Sequence, residues 1–97
     1  MNLKELLLYI KDNSVLNKRS VIHRNLLAKT EINLIYTEQN EIHIILRDIE
    51  DNTNITSDTI SNIFDTTNNI NINEFNKLNE VYLYYLDIVT DIINGDI

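Results

Sequence analysis

The sequence predicts an all-α fold, a compact bundle of four to five helices with a long C-terminal helix. Two observations lead to this prediction. Apolar residues recur at spacings of three and four over much of the chain, as they do on one face of an amphipathic helix. The chain also has no proline and one glycine, Gly95, so few positions interrupt a helix. With 97 residues and 43% apolar residues, we expect a single domain over residues 1–97 with its own core.

The first two predicted helices meet at Ser14. The first spans residues 3–12, and its apolar face consists of Leu3, Leu6, Leu7 and Ile10. That periodicity is lost after Asp12, and the hydroxyl of Ser14 can cap a second helix over about 15–29. The apolar residues of this second helix are Val15, Leu16, Ile22, Leu26 and Leu27, with Arg19 and His23 among them.

Residues 31–46, "EINLIYTEQNEIHIIL", fit two structures. Alternation with period two predicts a β-hairpin around "EQNE", in which the strands are Ile32-Leu34-Tyr36 and Ile42-Ile44-Leu46. Helical periodicity instead predicts a helix over 38–51, capped by Thr37 and with Glu38 and Glu41 in its first turn. Because "EQNE" lacks the Asn-Gly or Asp-Gly of a tight hairpin, the helix is favoured. An α+β fold with a hairpin at about 32–47 remains the alternative.

Two further helices follow. After the polar turn "DNTNIT", Thr56 can cap a short helix to about residue 66 that contains Ile60, Ile63 and Phe64. The last helix, residues 74–94, begins after Asn73 and ends at Asn94-Gly95. Its apolar positions, at spacings of three and four, are Phe75, Leu78, Tyr82, Tyr85, Val89 and Ile92.

The segment from Thr37 onward resembles the DNA-binding half of winged-helix regulators such as the MarR family. The resemblance covers about 40 residues and rests on Ile55, Thr56, Ile60, Ser61 and Phe64, with Asp65 and Thr67 at the positions of the turn glycine and serine. It implies that a recognition helix follows and reads a DNA major groove. The chain departs from the pattern there: asparagine occupies positions 68, 69, 71 and 73, and Lys77 is the single base. A divergent DNA-binding regulator is therefore the second functional hypothesis.

Charge is distributed unevenly along the chain. Residues 1–30 contain six Lys or Arg and two Asp or Glu, a net charge of +4, whereas residues 31–97 contain two and thirteen, a net charge of −11. A basic N-terminal part beside an acidic body is typical of internal neutralisation, of self-association or of an anion-binding face. The residues that could form such a face are Lys11, Lys18, Arg19 and Arg24.

The acidic body favours a protein partner. Carboxylates on predicted helical faces, together with an outward-facing tyrosine, suit docking on a basic protein surface. The candidate partner-binding residues are Asp48, Glu50, Asp51, Asp58, Glu80, Tyr84, Asp87 and Asp91. We therefore expect a small non-catalytic regulatory or inhibitory protein, and a homodimer is consistent with the same features. The 17 Ile and 16 Asn are typical of an AT-rich genome, such as that of a phage or virus.

Several activities are not expected from this sequence. It has no cysteine and no glycine-rich phosphate loop, and neither His23 nor His43 lies in a metal-binding spacing, so we expect no enzyme activity, no cofactor and no metal. A net charge of −7 opposes binding to the nucleic-acid backbone. No apolar run approaches the ~18 residues of a membrane span, and a secretory signal is lacking. A cytoplasmic location, in the host cell if the chain is viral, is therefore expected.

Overall fold

The chain has an α+β fold in which a four-stranded antiparallel sheet packs against two helices. The computed structural model describes residues 2–13 and 20–95. The elements, in chain order, are α1 (Leu3–Asn13), β1 (Ser20–Asn25), β2 (Thr30–Tyr36), β3 (Glu41–Asp48), β4 (Thr53–Ser61) and α2 (Ile72–Asn94).

The sheet is a meander, because its spatial order β1-β2-β3-β4 is also the chain order. Successive strands are antiparallel, so each pair is joined by a short turn. The pairing of β3 with β4 shifts after Leu46, which lies opposite Thr56, while Arg47 lies opposite Asn54. Ile55 is thus an extra residue in β4, as in a β-bulge.

A single hydrophobic core holds the helices on the sheet. Alternate residues of the two central strands are buried, which is the burial expected when one face of a sheet is covered. Leu7 and Ile10 of α1 and Leu78 and Tyr85 of α2 have no exposed surface, and they belong to the same core as those strand residues. The other face of β3, which includes His43 and Ile45, is partly exposed.

The predicted all-α bundle is wrong. Residues 20–29 form β1 and a turn where a second helix was expected, and residues 14–19 lie outside the described part of the chain. The expected helix 38–51 is mainly β3, and the expected helix at 56–66 is the end of β4 and a loop. Isoleucine and threonine are frequent in these segments, and such β-branched residues pack well on a sheet. The hairpin alternative at 32–47 describes the structure, since β2 and β3 pair across it.

Two helices lie where the sequence predicts them. α1 extends one residue beyond the predicted end, and α2 begins at Ile72, two residues before its predicted start. The N-cap is Asn71 instead of Asn73, and its side chain makes no capping hydrogen bond. Gly95 ends α2 in the left-handed conformation, at φ 76°, as Asn94-Gly95 predicts. No helix in the described ranges combines the length and apolarity that crossing a bilayer requires.

Asparagine takes the place of glycine in most of the turns. Five non-glycine residues in the described chain have positive φ, and they are Lys29, Asn40, Asn52, Asn62 and Asn68. Asparagine tolerates this left-handed region better than most residues because its short side chain can bond to nearby backbone. A chain with one glycine can therefore still form tight turns.

Candidate functional site

The exposed side of α2 carries four of the residues predicted to bind a partner. Glu80, Tyr84, Asp87 and Asp91 are separated by four, three and four positions, which places them on one side of a helix of about 3.6 residues per turn. Leu78, Tyr85 and Val89 of the same helix are buried against the sheet. We call the set Glu80, Tyr84, Asp87 and Asp91 the α2 acidic face.

The carboxylates of the α2 acidic face have no cationic partner among the described residues. Lys77, the single basic residue of α2, pairs with Glu74 at 3.1 Å. The last turn of the helix contains no basic residue. Asp91 lies in the last turn of α2, where the helix dipole favours positive charge, so helix stability does not explain its carboxylate.

Tyr84 adds an aromatic surface to this face. Its residue surface is 59% exposed, and its ring centroid lies 6.2 Å from that of Tyr85, which is fully buried. Contact with Tyr85 connects the exposed ring to the core. Tyrosine suits protein interfaces because its ring provides apolar area and its hydroxyl can hydrogen-bond.

Asp58 lies on β4 and is not part of the α2 acidic face. Its carboxylate contacts a buried residue of α2. The hydroxyl of Tyr85 donates to Asp58 Oδ2 at 2.6 Å and lies 3.4 Å from the carbonyl oxygen of Ile44. Burial, and then the carboxylate of Asp58, raise the pKa of Tyr85 above its ordinary value. One oxygen of Asp58 is thus used to join α2 to the sheet.

The remaining predicted acids form the turn between β3 and β4. Asp48 Oδ1 accepts the backbone N–H groups of Glu50 at 2.9 Å and Asp51 at 3.0 Å, which fixes the turn. Glu50 pairs with Lys29 at 3.4 Å, from the neighbouring turn between β1 and β2. Asp51 is exposed, and no cation in the described ranges pairs with it.

The structure does not bring the predicted anion-binding residues together. Lys11, on α1, lies with its amino group 4.9 Å from the ring centroid of Phe64 and bonds to the carbonyl oxygen of Asn68. Arg24, on β1, pairs with Glu31 of β2. Lys18 and Arg19 lie outside the described residues.

The ion pair of Arg24 belongs to a larger group that the sequence analysis missed. Arg24, Glu31 and Arg47 are cross-strand neighbours on β1, β2 and β3. The Glu31 carboxylate is 3.2 Å from Arg24 and 3.3 Å from Arg47, and the Glu31 side chain is only 6% exposed. Two guanidinium groups therefore compensate one buried carboxylate. Knowing the register of β1, β2 and β3 would have identified this group. The spacing of apolar residues in the sequence does not give that register.

The helices implied by the resemblance to winged-helix regulators are not present. Residues 53–61 form β4, so Thr56 and Ile60 lie on a strand. Asn68 and Asn69 lie in the loop before α2, and Asn73 lies in the first turn of that helix. The described chain thus contains no helix pair over 38–66 that could enter a major groove.

Metal and small-molecule sites find little support in the described chain. No group of three or more His, Asp or Glu residues in it is arranged to hold a metal ion. His43 Nδ1 is 2.8 Å from Thr59 Oγ1, and the side chain of His23 lies outside the described part of the structure. A cavity of about 30 Å³ lined by Asn25, Thr30, Ile32, Leu86 and Val89 has room for about two water molecules, and two larger depressions, of about 420 and 300 Å³, are wide open to solvent.

The most exposed apolar side chains were not identified from the sequence. Leu26 and Leu27 were predicted to be part of the buried face of a second helix, but they are 75% and 83% exposed in the turn between β1 and β2. The error follows from the wrong assignment of residues 15–29.

Comparison with known proteins provides no relative, since no family model, curated protein or solved structure matches the chain significantly.

Proposed function

We propose that this chain is a small non-catalytic regulatory or inhibitory protein that binds a protein partner through the α2 acidic face. The observation that carries the proposal is the group of Glu80, Asp87 and Asp91 around Tyr84, in which Asp91 is half-buried and the others are exposed, without a cationic partner in the described chain. The complementary surface on the partner is basic. The absence of cysteine from the sequence is compatible with the cytoplasm, where we place this activity.

Two physical properties make this face suitable for recognition. Uncompensated carboxylates attract a basic surface at long range, which accelerates association and disfavours acidic competitors. Tyr84 then provides contact area at a small entropic cost, because its side chain has few rotatable bonds. Burial of Leu78 and Tyr85 fixes the orientation of the helix, so the face is preorganised before binding.

The test is a double charge reversal, Glu80→Lys with Asp87→Lys. Each reversal replaces a negative with a positive charge, so the net charge changes from −7 to −3. The matched control, Asp12→Lys with Glu38→Lys, makes the same change at two other exposed positions. Proteins captured from a nuclease-treated extract of the encoding organism are identified, and each is purified for calorimetric titration. We expect the α2 reversal to weaken binding by about tenfold or more and the control to bind nearly as the wild type.

Three possible results of this experiment would contradict the proposal. Equal weakening by both variants would show that only net charge matters. Unchanged binding by the α2 reversal would place the interface elsewhere. Capture that disappears on nuclease treatment, with tight binding of a labelled DNA duplex by the purified chain, would support the DNA-binding hypothesis instead.

A further inference from the structure

The turn between β1 and β2 presents two leucines to solvent at its tip. Leu26 and Leu27 are 75% and 83% exposed, and these are the largest exposures of any large apolar residue in the described ranges. Turn positions usually contain Gly, Asn, Asp, Pro or Ser. Single exposed apolar residues are common on proteins, but two adjacent leucines at a tip form a continuous apolar protrusion.

The rest of the turn holds this protrusion in place. Asn25 Oδ1 accepts the backbone N–H of Ala28 at 2.9 Å, and Ala28 is buried in the core. The carbonyl oxygen of Lys29 accepts the N–H of Ile49 at 3.0 Å, which ties the turn to the neighbouring β3–β4 turn. The backbone that carries the leucines is thus fixed before any partner arrives, which lowers the entropic cost of binding.

The surroundings of the protrusion are acidic on one side. The β3–β4 turn, to which Lys29 is bonded, carries Asp48, Glu50 and Asp51. Lys29 is paired with Glu50, and Arg24 and Arg47 share the single carboxylate of Glu31, so the charges on the strand ends next to the turn are of both signs. Asp51 remains exposed without an ion pair among the described residues. The β3–β4 turn on this side contains three acids and no base, so the complement of the apolar tip there is an apolar pocket with basic residues at its rim.

We infer that Leu26 and Leu27 form a docking knob for a protein whose surface offers an apolar pocket bordered by lysine or arginine. The inference rests on the proposed function in one respect, that the chain acts by binding a protein, but it concerns a different surface from the α2 acidic face. An anionic membrane is a poor alternative, because acidic residues beside the knob and a net charge of −7 oppose its approach. A second copy would bring one acidic turn toward another.

Photocrosslinking tests the contact directly. The full chain carries benzoylphenylalanine in place of Leu27, and a control chain carries it in place of Ile72, an exposed residue at the start of α2. Both are irradiated in an extract of the encoding organism. We expect a crosslink from position 27, and none from position 72, to one protein.

Binding of that purified protein is then measured for three variants. Leu26→Ser with Leu27→Ser should weaken binding about 30-fold or more, as loss of a central interface residue does. The matched control Leu8→Ser with Ile72→Ser changes two other exposed apolar residues and should bind normally. Asp51→Lys should weaken binding several-fold, and more strongly at low salt. Thermal melts of the leucine variant should match the wild type, because both side chains are exposed.

Each other outcome overturns the inference. If position 27 crosslinks only to a second copy, or to no protein, the proposed partner does not exist. If the chain binds phosphatidylcholine–phosphatidylserine vesicles and the leucine variant does not, the knob binds a membrane. Normal binding by the leucine variant excludes the knob, and unchanged or tighter binding by Asp51→Lys excludes a basic rim. The proposed function fails separately: weakening by Glu80→Lys with Asp87→Lys and normal binding by the leucine variant would retain it and reject the knob.

Discussion

At the scale of single residues, Tyr85 connects the two layers of the molecule. Its ring is buried in the core, and its hydroxyl donates to Asp58 Oδ2 at 2.6 Å. Tyr85→Phe keeps the ring and removes this hydrogen bond. We expect a loss of about 1–2 kcal/mol in the free energy of unfolding at neutral pH, because Asp58 is exposed and water replaces part of the bond. Urea unfolding measures the difference, and equal stability would show that the bond contributes nothing.

The same variant should respond differently to alkali. Burial and the Asp58 carboxylate raise the pKa of Tyr85 in the folded chain above its ordinary value of 10.0. The neutral phenol therefore stabilises the fold fully below about pH 10, and that contribution is lost as the pH rises further. The difference in free energy of unfolding between wild type and Tyr85→Phe should therefore be smaller at about pH 11 than at about pH 8. A constant difference would mean that Tyr85 does not ionise more readily on unfolding.

At the scale of elements, the turn between β2 and β3 depends on Asn40. Its backbone is left-handed, at φ 60°, and its side chain donates to the Phe64 carbonyl at 2.7 Å and accepts the Phe64 N–H at 3.1 Å. Asn40→Gly keeps the favourable backbone conformation but loses these two bonds and the one that Asn40 Oδ1 accepts from the Tyr36 hydroxyl at 3.3 Å. Asn40→Ala loses the same bonds and the favourable conformation. We expect losses of about 1–2 kcal/mol for glycine and about 1 kcal/mol more for alanine in urea unfolding. Similar values for both would show that backbone conformation is unimportant here.

The same turn explains which elements the sequence could predict. Both helices were located because their apolar residues recur with helical spacing over 11 and 23 residues. The β2–β3 hairpin was given second place because "EQNE" has no glycine, although Asn40 supplies the left-handed position. "EQNE" was thus predicted to begin a helix and "DNTNIT" to be a turn between helices, whereas each includes part of a turn between two strands.

The sequence could predict a candidate surface on a helix, but not one that depends on turns or on strand pairing. The α2 acidic face requires only helical spacing, so the sequence was sufficient to group Glu80, Tyr84, Asp87 and Asp91. The exposed leucines could not be identified without knowing that residues 26–29 form a turn. Likewise, Arg24, Glu31 and Arg47 lie far apart in the sequence, and strand register alone makes them neighbours.

At the scale of the whole molecule, three of the six bases in residues 1–30 contact the acidic body. Lys11 bonds to Asn68, Arg24 pairs with Glu31, and Lys29 pairs with Glu50. Each of these contacts joins residues 1–30 to the acidic body. Of the three interpretations of the charge asymmetry, the described residues therefore favour internal neutralisation. The acids of α2 remain outside this network.

Because the net charge is −7, repulsion between like charges should exceed attraction over the whole molecule. Raising sodium chloride from about 0.01 M to about 0.15 M shortens the Debye length from about 30 Å to about 8 Å and screens that repulsion. We expect the melting temperature to rise by about 4–8 °C, the equivalent of about 1 kcal/mol in a domain of this size. Glu80→Lys with Asp87→Lys, at a net charge of −3, should show a smaller rise. A fall in the melting temperature of the wild type would instead mean that its ion pairs, such as Arg24–Glu31, outweigh the repulsion.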